Sequence, residues 1–200
     1  MQASEVQSQM GFEGLGADAG EVHRLFFALW PDDSARDGIE AAAGELRRTH
    51  APRGRWIGRH RYHLTLQFLG DAPMLREDVA NAAMRAADSV RAHAFDLVLD
   101  VAGSFRNRSI PWWVGCDRTP PALQQLFDTL AAALLRNGVR IESGKDLVPH
   151  VTVLRDAETA LPTTLIAPVR WPVREFVLVH SVLGRKSAYH LLGRWPLPAP

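Results

Sequence analysis

A repeated tetrad narrows the possible folds of this chain more than any other feature. His63-Leu64-Thr65-Leu66 has a near copy at His150-Val151-Thr152-Val153, 87 positions later. A β-strand sends successive side chains to opposite faces, so in each copy the His and Thr share one face and the apolar residues take the other. Each tetrad therefore reads as a strand with one buried face and one face offering an imidazole beside a hydroxyl. The chain has 8 His and 8 Thr, from which such a spacing should arise by chance about 0.3 times. It arises twice, both times in strand-like surroundings.

Two hundred residues with 46% apolar content can bury a sizeable core, as one domain or as two small lobes sharing a cleft. The formal net charge is +1, so any contact with nucleic acid must come from local clusters of Arg and Lys. The single cysteine, Cys116, excludes an internal disulfide framework and a thiolate zinc cluster, and fits a reducing cytoplasm. No apolar run approaches the roughly 18 residues of a membrane span. Residues 1–21 lack the charged start and apolar middle of a signal peptide and read as a disordered leader. A single two-lobed domain is then expected over residues 22–200.

Arg24 to Trp30 reads as a strand buried on both faces and ended by Pro31. Asp32 and Asp33 supply helix-start chemistry, and Ala35, Ile39, Ala42, Ala43 and Leu46 continue at helical spacing. Tyr62, Leu64, Leu66 and Phe68 form the apolar face of the first tetrad strand. Leu75, Val79, Ala82, Ala83, Ala86 and Val90 mark a helix expected to cover that face. Phe95 to Val101 alternates as a strand, Gly103 to Ile110 reads as an Arg-containing loop, and Pro111 to Cys116 as another strand. Pro120 and Pro121 open a helix with Leu123, Leu126, Phe127, Leu130 and Leu134 as its stripe, closed at Asn137-Gly138. Val139 to Ile141 and Leu147 to Leu154 read as strands. Val173 to Leu183, a turn at Gly184 to Ser187, and Ala188 to Trp195 read as a hairpin. The order suggests a loose duplication of the first half in the second.

Between Arg47 and Arg61 lie Arg47, Arg48, Arg53, Arg55, Arg59 and Arg61, interleaved with His50, Trp56 and His60 and without an acidic residue. Such a stretch can hold RNA phosphates and offer Trp56 for stacking. It can equally be a solvated basic loop around a buried tryptophan. Arg106 and Arg108 read as a solvated loop that could also reach a phosphate.

If the two tetrad strands face a common cleft, a phosphodiester fits between them. One neutral imidazole can take a proton from an attacking water while a protonated one opposite supplies a proton to the departing oxygen. The threonine hydroxyls can donate to the non-bridging oxygens, where negative charge gathers. A histidine-based metal site competes in principle, but neither tetrad supplies the carboxylate or thiolate that usually completes one. No metal and no cofactor is expected.

These residues resemble the paired motifs of the 2H phosphoesterase superfamily. Arg24-Leu25-Phe26-Phe27-Ala28, Arg55-Trp56, Phe68-Leu69-Gly70, Pro149, Ser181-Val182-Leu183-Gly184 and Tyr189 are further similar to its RNA 2',3'-cyclic phosphodiesterase (2'-5' RNA ligase) branch. The likeness runs over roughly residues 24–197. It implies an α+β fold of two lobes, with pseudo-twofold antiparallel sheets flanked by helices around a central cleft. It implies hydrolysis of RNA 2',3'-cyclic phosphate ends to a 2'-phosphate, with reversible 2'-5' RNA ligation as a related activity. RNA carrying such ends, tRNA fragments included, is the implied partner, met by a monomer away from any membrane. By the same resemblance His63 is the proton donor and His150 the proton acceptor, a division that spacing alone leaves open. Thr65, Thr152 and Arg155 match phosphate-binding positions. The other class of reading is a non-catalytic module that binds a nucleotide or RNA end in the same cleft; it would not need two imidazoles able to exchange protons.

Overall fold

The computed structural model describes residues 21–106, 108–142, 146–184 and 188–200. Nearly all of the expected leader, residues 1–20, and most of the hairpin turn, residues 185–187, lie outside them. The described chain forms nine strands and three long helices. These are β1 (Val22–Leu29), α1 (Asp33–His50), β2 (Arg55–Trp56), β3 (Leu64–Ala72), α2 (Glu77–Asp88), β4 (Phe95–Ser104), β5 (Ile110–Gly115), α3 (Pro121–Arg136), β6 (His150–Ala157), β7 (Thr164–Val173), β8 (Glu175–Leu183) and β9 (Ala188–Pro196).

In space the strands run β7-β4-β5-β6-β3-β1-β8-β9, antiparallel throughout, with β2 added beside β6. The two expected sheets are thus the halves of one. They meet where the tetrad strands β3 and β6 pair, through Leu64 opposite Val151. The halves are not the first and second parts of the sequence, as the loose duplication suggested. One is built from β1, β3, β8 and β9, the two ends of the described chain, and the other from the middle, β4 to β7. Helix α1 leaves β1 and crosses to lie on β7 and β5, while α3 lies on β3 and α2 packs on α3 and β9. The cover of β3 therefore comes from α3, not from α2 as expected. The longer apolar stripe of α3, with Leu123, Leu126, Leu130 and Leu134 all buried, makes it the better cap.

One face of the sheet meets the helices. Phe27, Ile39, Leu64, Leu126, Val151 and Trp171 belong to this continuous core. The opposite face of the β1, β3 and β8 half carries a smaller cluster of Phe26, Ala28, Val177 and Val179, with Trp30, Phe68 and Tyr189 around it.

Three departures from the expected strands have local causes. A register shift between Phe27 and Ala28, opposite Gln67 and Thr65, bulges β3 at Leu66. Alternation flips there. Gln67 turns into the core, where its amide donates to the Phe127 carbonyl at 3.4 Å, and Phe68 joins the opposite face instead of continuing the apolar row. Val139 to Ile141 is not a strand. The Val139 and Gly138 amides donate to the Leu134 and Leu135 carbonyls at 3.0 and 3.1 Å, so this segment finishes α3 in a Schellman turn with Gly138 at φ 75°. Strand β7 has no counterpart in the sequence reading, because Pro168 and Pro172 argue against a central strand; β7 lies at the sheet edge, where proline is tolerated. Val173 ends β7 and does not begin β8.

Candidate active site

The join between β3 and β6 sets the site. Leu64 and Val151 are fully buried toward the helices, so the residues on either side of each project to the other face. Antiparallel pairing carried one step either way brings His63 toward Thr152 and His150 toward Thr65. The pair Leu64 and Val151 thereby lies on an approximate twofold axis, and the two tetrads are its equivalents. His63, Thr65, His150 and Thr152 line one cleft, together with Arg55, Ile57, Arg61, Arg155 and Tyr189. The cleft holds about 430 Å³ of empty space open to solvent.

Both imidazoles are held by the same device. His63 Nδ1 lies 2.7 Å from the Arg61 carbonyl, and His150 Nδ1 lies 2.7 Å from the Val148 carbonyl. A carbonyl can only accept, so each Nδ1 carries a proton and each Nε2 is the nitrogen that exchanges one at the cleft. In both cases the carbonyl belongs to the residue two positions earlier. The rings are also wedged by aromatics. Phe26 stands 4.9 Å and Tyr189 5.6 Å from the His63 ring by centroids, and Phe105 stands 4.8 Å from the His150 ring.

Burial lowers the pKa of both histidines, because a charged imidazole is poorly solvated there. His63 is pushed down to about 4, first by desolvation and then by the cations of Arg155 and Arg61 and by His150, against the bond to the Arg61 carbonyl, which favours protonation. His150 is lowered by desolvation, against its bond to Val148. An anion entering the cleft would offset the arginine charges at His63 and so favour its protonation, while the larger effect of burial would stay.

The half-buried Thr65 and Thr152 side chains face the cleft, and the structure shows no hydrogen bond from either hydroxyl to a described residue. Arg155 lies on β6 opposite Arg55 on β2. Beside it Asp156 sits at φ 57°, where β6 bulges between the Ile110 and Trp112 pairings. Asp tolerates this left-handed conformation, and its carboxylate accepts from the Ser109 hydroxyl at 2.6 Å.

The basic stretch resolves into separate fates. Arg59 is neutralised by Asp33, Asp37 and Glu40, Arg53 pairs with Glu158 and Arg48 with Glu45. Trp56 is partly buried against the core with Arg47 over its ring at 5.8 Å, so it acts mainly as a packing residue. Only Arg55 and Arg61 of this stretch reach the cleft. The sequence reading left the roles of both open and made no site residue of Tyr189. Tyr189 arrives from β9, more than a hundred positions from His63, and although it figures in the family resemblance, nothing in its local pattern assigns it to the cleft.

Among the described residues the cleft lining contains no carboxylate and no thiol, a donor set that does not suit a tightly held divalent cation. Among the described residues no group of three or more His, Cys, Asp or Glu could hold a metal ion.

Comparison with known proteins places this arrangement in a family. The model of the 2'-5' RNA ligase superfamily matches residues 31–185. The chain is 35% identical over 184 residues to the RNA 2',3'-cyclic phosphodiesterase of Escherichia coli, covering 88% of this chain and 98% of that one. E. coli LigT in its apo form superposes with a TM-score of 0.70 at 33% identity, over 90% of this chain and 99% of that one. E. coli LigT complexed with 3'-AMP gives 0.68 at 33% identity, over 89% and 99%. With its two tetrads, its shared cleft and these matches along most of its length, the chain belongs to the 2'-5' RNA ligase superfamily.

Proposed function

We propose that this protein hydrolyses RNA 2',3'-cyclic phosphate ends to a 2'-phosphate and a free 3'-hydroxyl. The observation that carries the reading is the twofold pair of Nδ1-anchored imidazoles with a threonine hydroxyl beside each, all lining one cleft. In the reaction, water attacks phosphorus on the side opposite the bond to the 3'-oxygen. One imidazole Nε2 takes the water proton, the P–O3' bond breaks, and the other imidazole protonates the leaving 3'-oxygen. His150 is assigned the first role and His63 the second, following the family resemblance. Thr65 and Thr152 donate to the non-bridging oxygens, and Arg155 compensates their charge as it grows. The same geometry, with a 5'-hydroxyl in place of water, would form a 2'-5' linkage.

The similarity to an E. coli protein that bears the name RNA 2',3'-cyclic phosphodiesterase supports this choice of substrate. So does E. coli LigT binding 3'-AMP, a nucleoside monophosphate. The cleft is complete within one chain, which suits a monomer. No described helix is long and apolar enough to cross a membrane, and a cytoplasmic enzyme acting on RNA fragments, tRNA pieces among them, is the setting we infer. The test is product identity. RNA ending in a 2',3'-cyclic phosphate, incubated with the protein in EDTA, should give a 2'-phosphate. Tight binding without turnover would favour a binding module, and a 3'-phosphate product would overturn the assigned orientation.

A further inference from the structure

The cleft carries more positive charge than the proposed reaction centre needs. A cyclic phosphodiester bears one negative charge, yet Arg55, Arg61 and Arg155 all line the cleft that holds it. Arg55 is partly offset by Asp156, at 3.5 Å, and Arg24, on β1 and outside the cleft lining, is held by Asp71, at 2.8 Å. Arg61 and Arg155 form no ion pair with any carboxylate among the described residues. Most arginines of the same stretch do, so this is not a general shortage of acidic partners. Arg155 is matched to the reacting phosphate. Arg61 is then the surplus cation, two residues before His63.

The way Arg61 is held favours an anion at its edge. Its guanidinium carbon lies over the Tyr189 ring, 4.7 Å from the centroid, a cation–π contact that holds the group at the cleft without using up its N–H donors, which suit a planar or tetrahedral oxyanion. Those N–H groups make no hydrogen bond within the described chain. Tyr189 in turn stands edge-on to His63, 5.6 Å away by ring centroids, so the stack that orients Arg61 is anchored beside the reacting position. The backbone of Arg61 separately fixes His63 through its carbonyl.

We propose that Arg61 is a second phosphate-binding site, seating the phosphodiester that links the terminal nucleotide to the rest of the RNA. It selects oligonucleotides ending in a cyclic phosphate over the mononucleotide cyclic phosphate. This inference rests on the cyclic phosphodiesterase reading. It goes beyond it by naming the group that reads the second backbone charge and the residue that holds it.

The experiment compares three substrates: a nucleoside 2',3'-cyclic phosphate, a dinucleotide ending in the cyclic phosphate, and the same dinucleotide with an uncharged methylphosphonate in place of its internal phosphodiester. The wild type should favour the charged dinucleotide over the uncharged one by about tenfold in kcat/KM, mainly through KM. Arg61→Ala should collapse that ratio toward one, Arg61→Lys should retain part of it, and the slope of log kcat/KM against log salt for the charged dinucleotide should flatten by about 0.7 in Arg61→Ala, as for one lost phosphate contact on a single strand. Equal use of the two dinucleotides by the wild type would overturn the inference. So would an Arg61→Ala variant slowed on all three substrates by one factor, the mark of a merely structural role. Failure of the wild type to turn over any of the three would remove the proposed function itself, and this inference with it.

Discussion

Leu64 and Val151 stand opposite each other where the two halves of the sheet join, both fully buried. Everything on the cleft side depends on that contact, since His63, Thr65, His150 and Thr152 are their immediate neighbours in sequence. Leu64→Ala should cost about 2–5 kcal/mol of stability by opening a cavity in the core. Leu64→Met, which keeps the volume, should cost less than about 1.5 kcal/mol. Urea denaturation measures both.

His63→Ala and His150→Ala should each lower kcat by about 10²- to 10⁴-fold, the usual worth of a positioned acid or base. The double variant should lose little more than the worse single one, because the two groups act on one proton-transfer sequence. Steady-state hydrolysis of an RNA 2',3'-cyclic phosphate end checks this, and circular dichroism should show an unchanged fold. Independent effects that multiply in the double variant would contradict a shared reaction.

Thr65→Val and Thr152→Val keep the shape of each side chain and delete one donor to the phosphate. Each should reduce kcat by about 10- to 10³-fold, with an upper bound set by loss of one oxyanion-type hydrogen bond. Approximate twofold placement predicts effects on both, and kcat measurements on the two variants decide it.

The pH profile of kcat/KM should be bell-shaped and displaced to the acid side of the ordinary imidazole value near 6.5. The direction follows from burial, which lowers both histidines, His63 to about 4. The donor must be charged, so activity falls as pH rises past its lowered pKa. Arg155→Gln removes one of the cations that depress His63 and should move that limb toward alkaline pH.

Stability should respond to pH through the same shift. Between about 6.5 and 4 the unfolded chain protonates His63 while the folded chain does not, so the unfolded state binds more protons and is favoured as pH falls. The stability gained by keeping the ring neutral is complete above 6.5 and is lost on descending toward 4. Urea midpoints at pH 7.5 and 4.5 should converge in His63→Asn relative to the wild type.

Gly115 is opposite His150 in the β5 and β6 ladder, and a Cβ there would collide with the Pro149 carbonyl. Gly115→Ala should therefore displace the backbone that carries His150. A fall in kcat larger than the fall in unfolding midpoint would show the displacement in solution.

The pairing of His63 and Thr65 with His150 and Thr152 in one cleft was legible from sequence because its information is local. His and Thr two apart, flanked by apolar residues, fix strand, face and chemistry within one tetrad, and the copy repeats them. Helices α1 and α3 were legible for the same reason, through the cap at Asp32, which accepts from the Ala35 amide at 2.8 Å, and through the Leu stripe of α3. What stayed hidden depends on partners distant in sequence. The bulge that turns Gln67 inward is set by the pairing of β3 with β1, and the edge location that excuses the prolines of β7 is a property of the whole sheet. The basic stretch looked uniform because the carboxylates that quench Arg59 come from α1, 19 to 26 positions earlier.

Strand β1 is hydrogen-bonded to β8 from Val22 opposite Leu183 to Ala28 opposite Val177, and β9 adds Tyr189 beside His63. A chain emerging from the ribosome therefore makes β1 and its neighbour β3 long before its other neighbour β8, and such distant closures come late in folding. The middle segment can collapse early around α1. The wall behind His63 must wait until the β8 and β9 hairpin emerges, so nascent chains that stop short of β9 should lack activity.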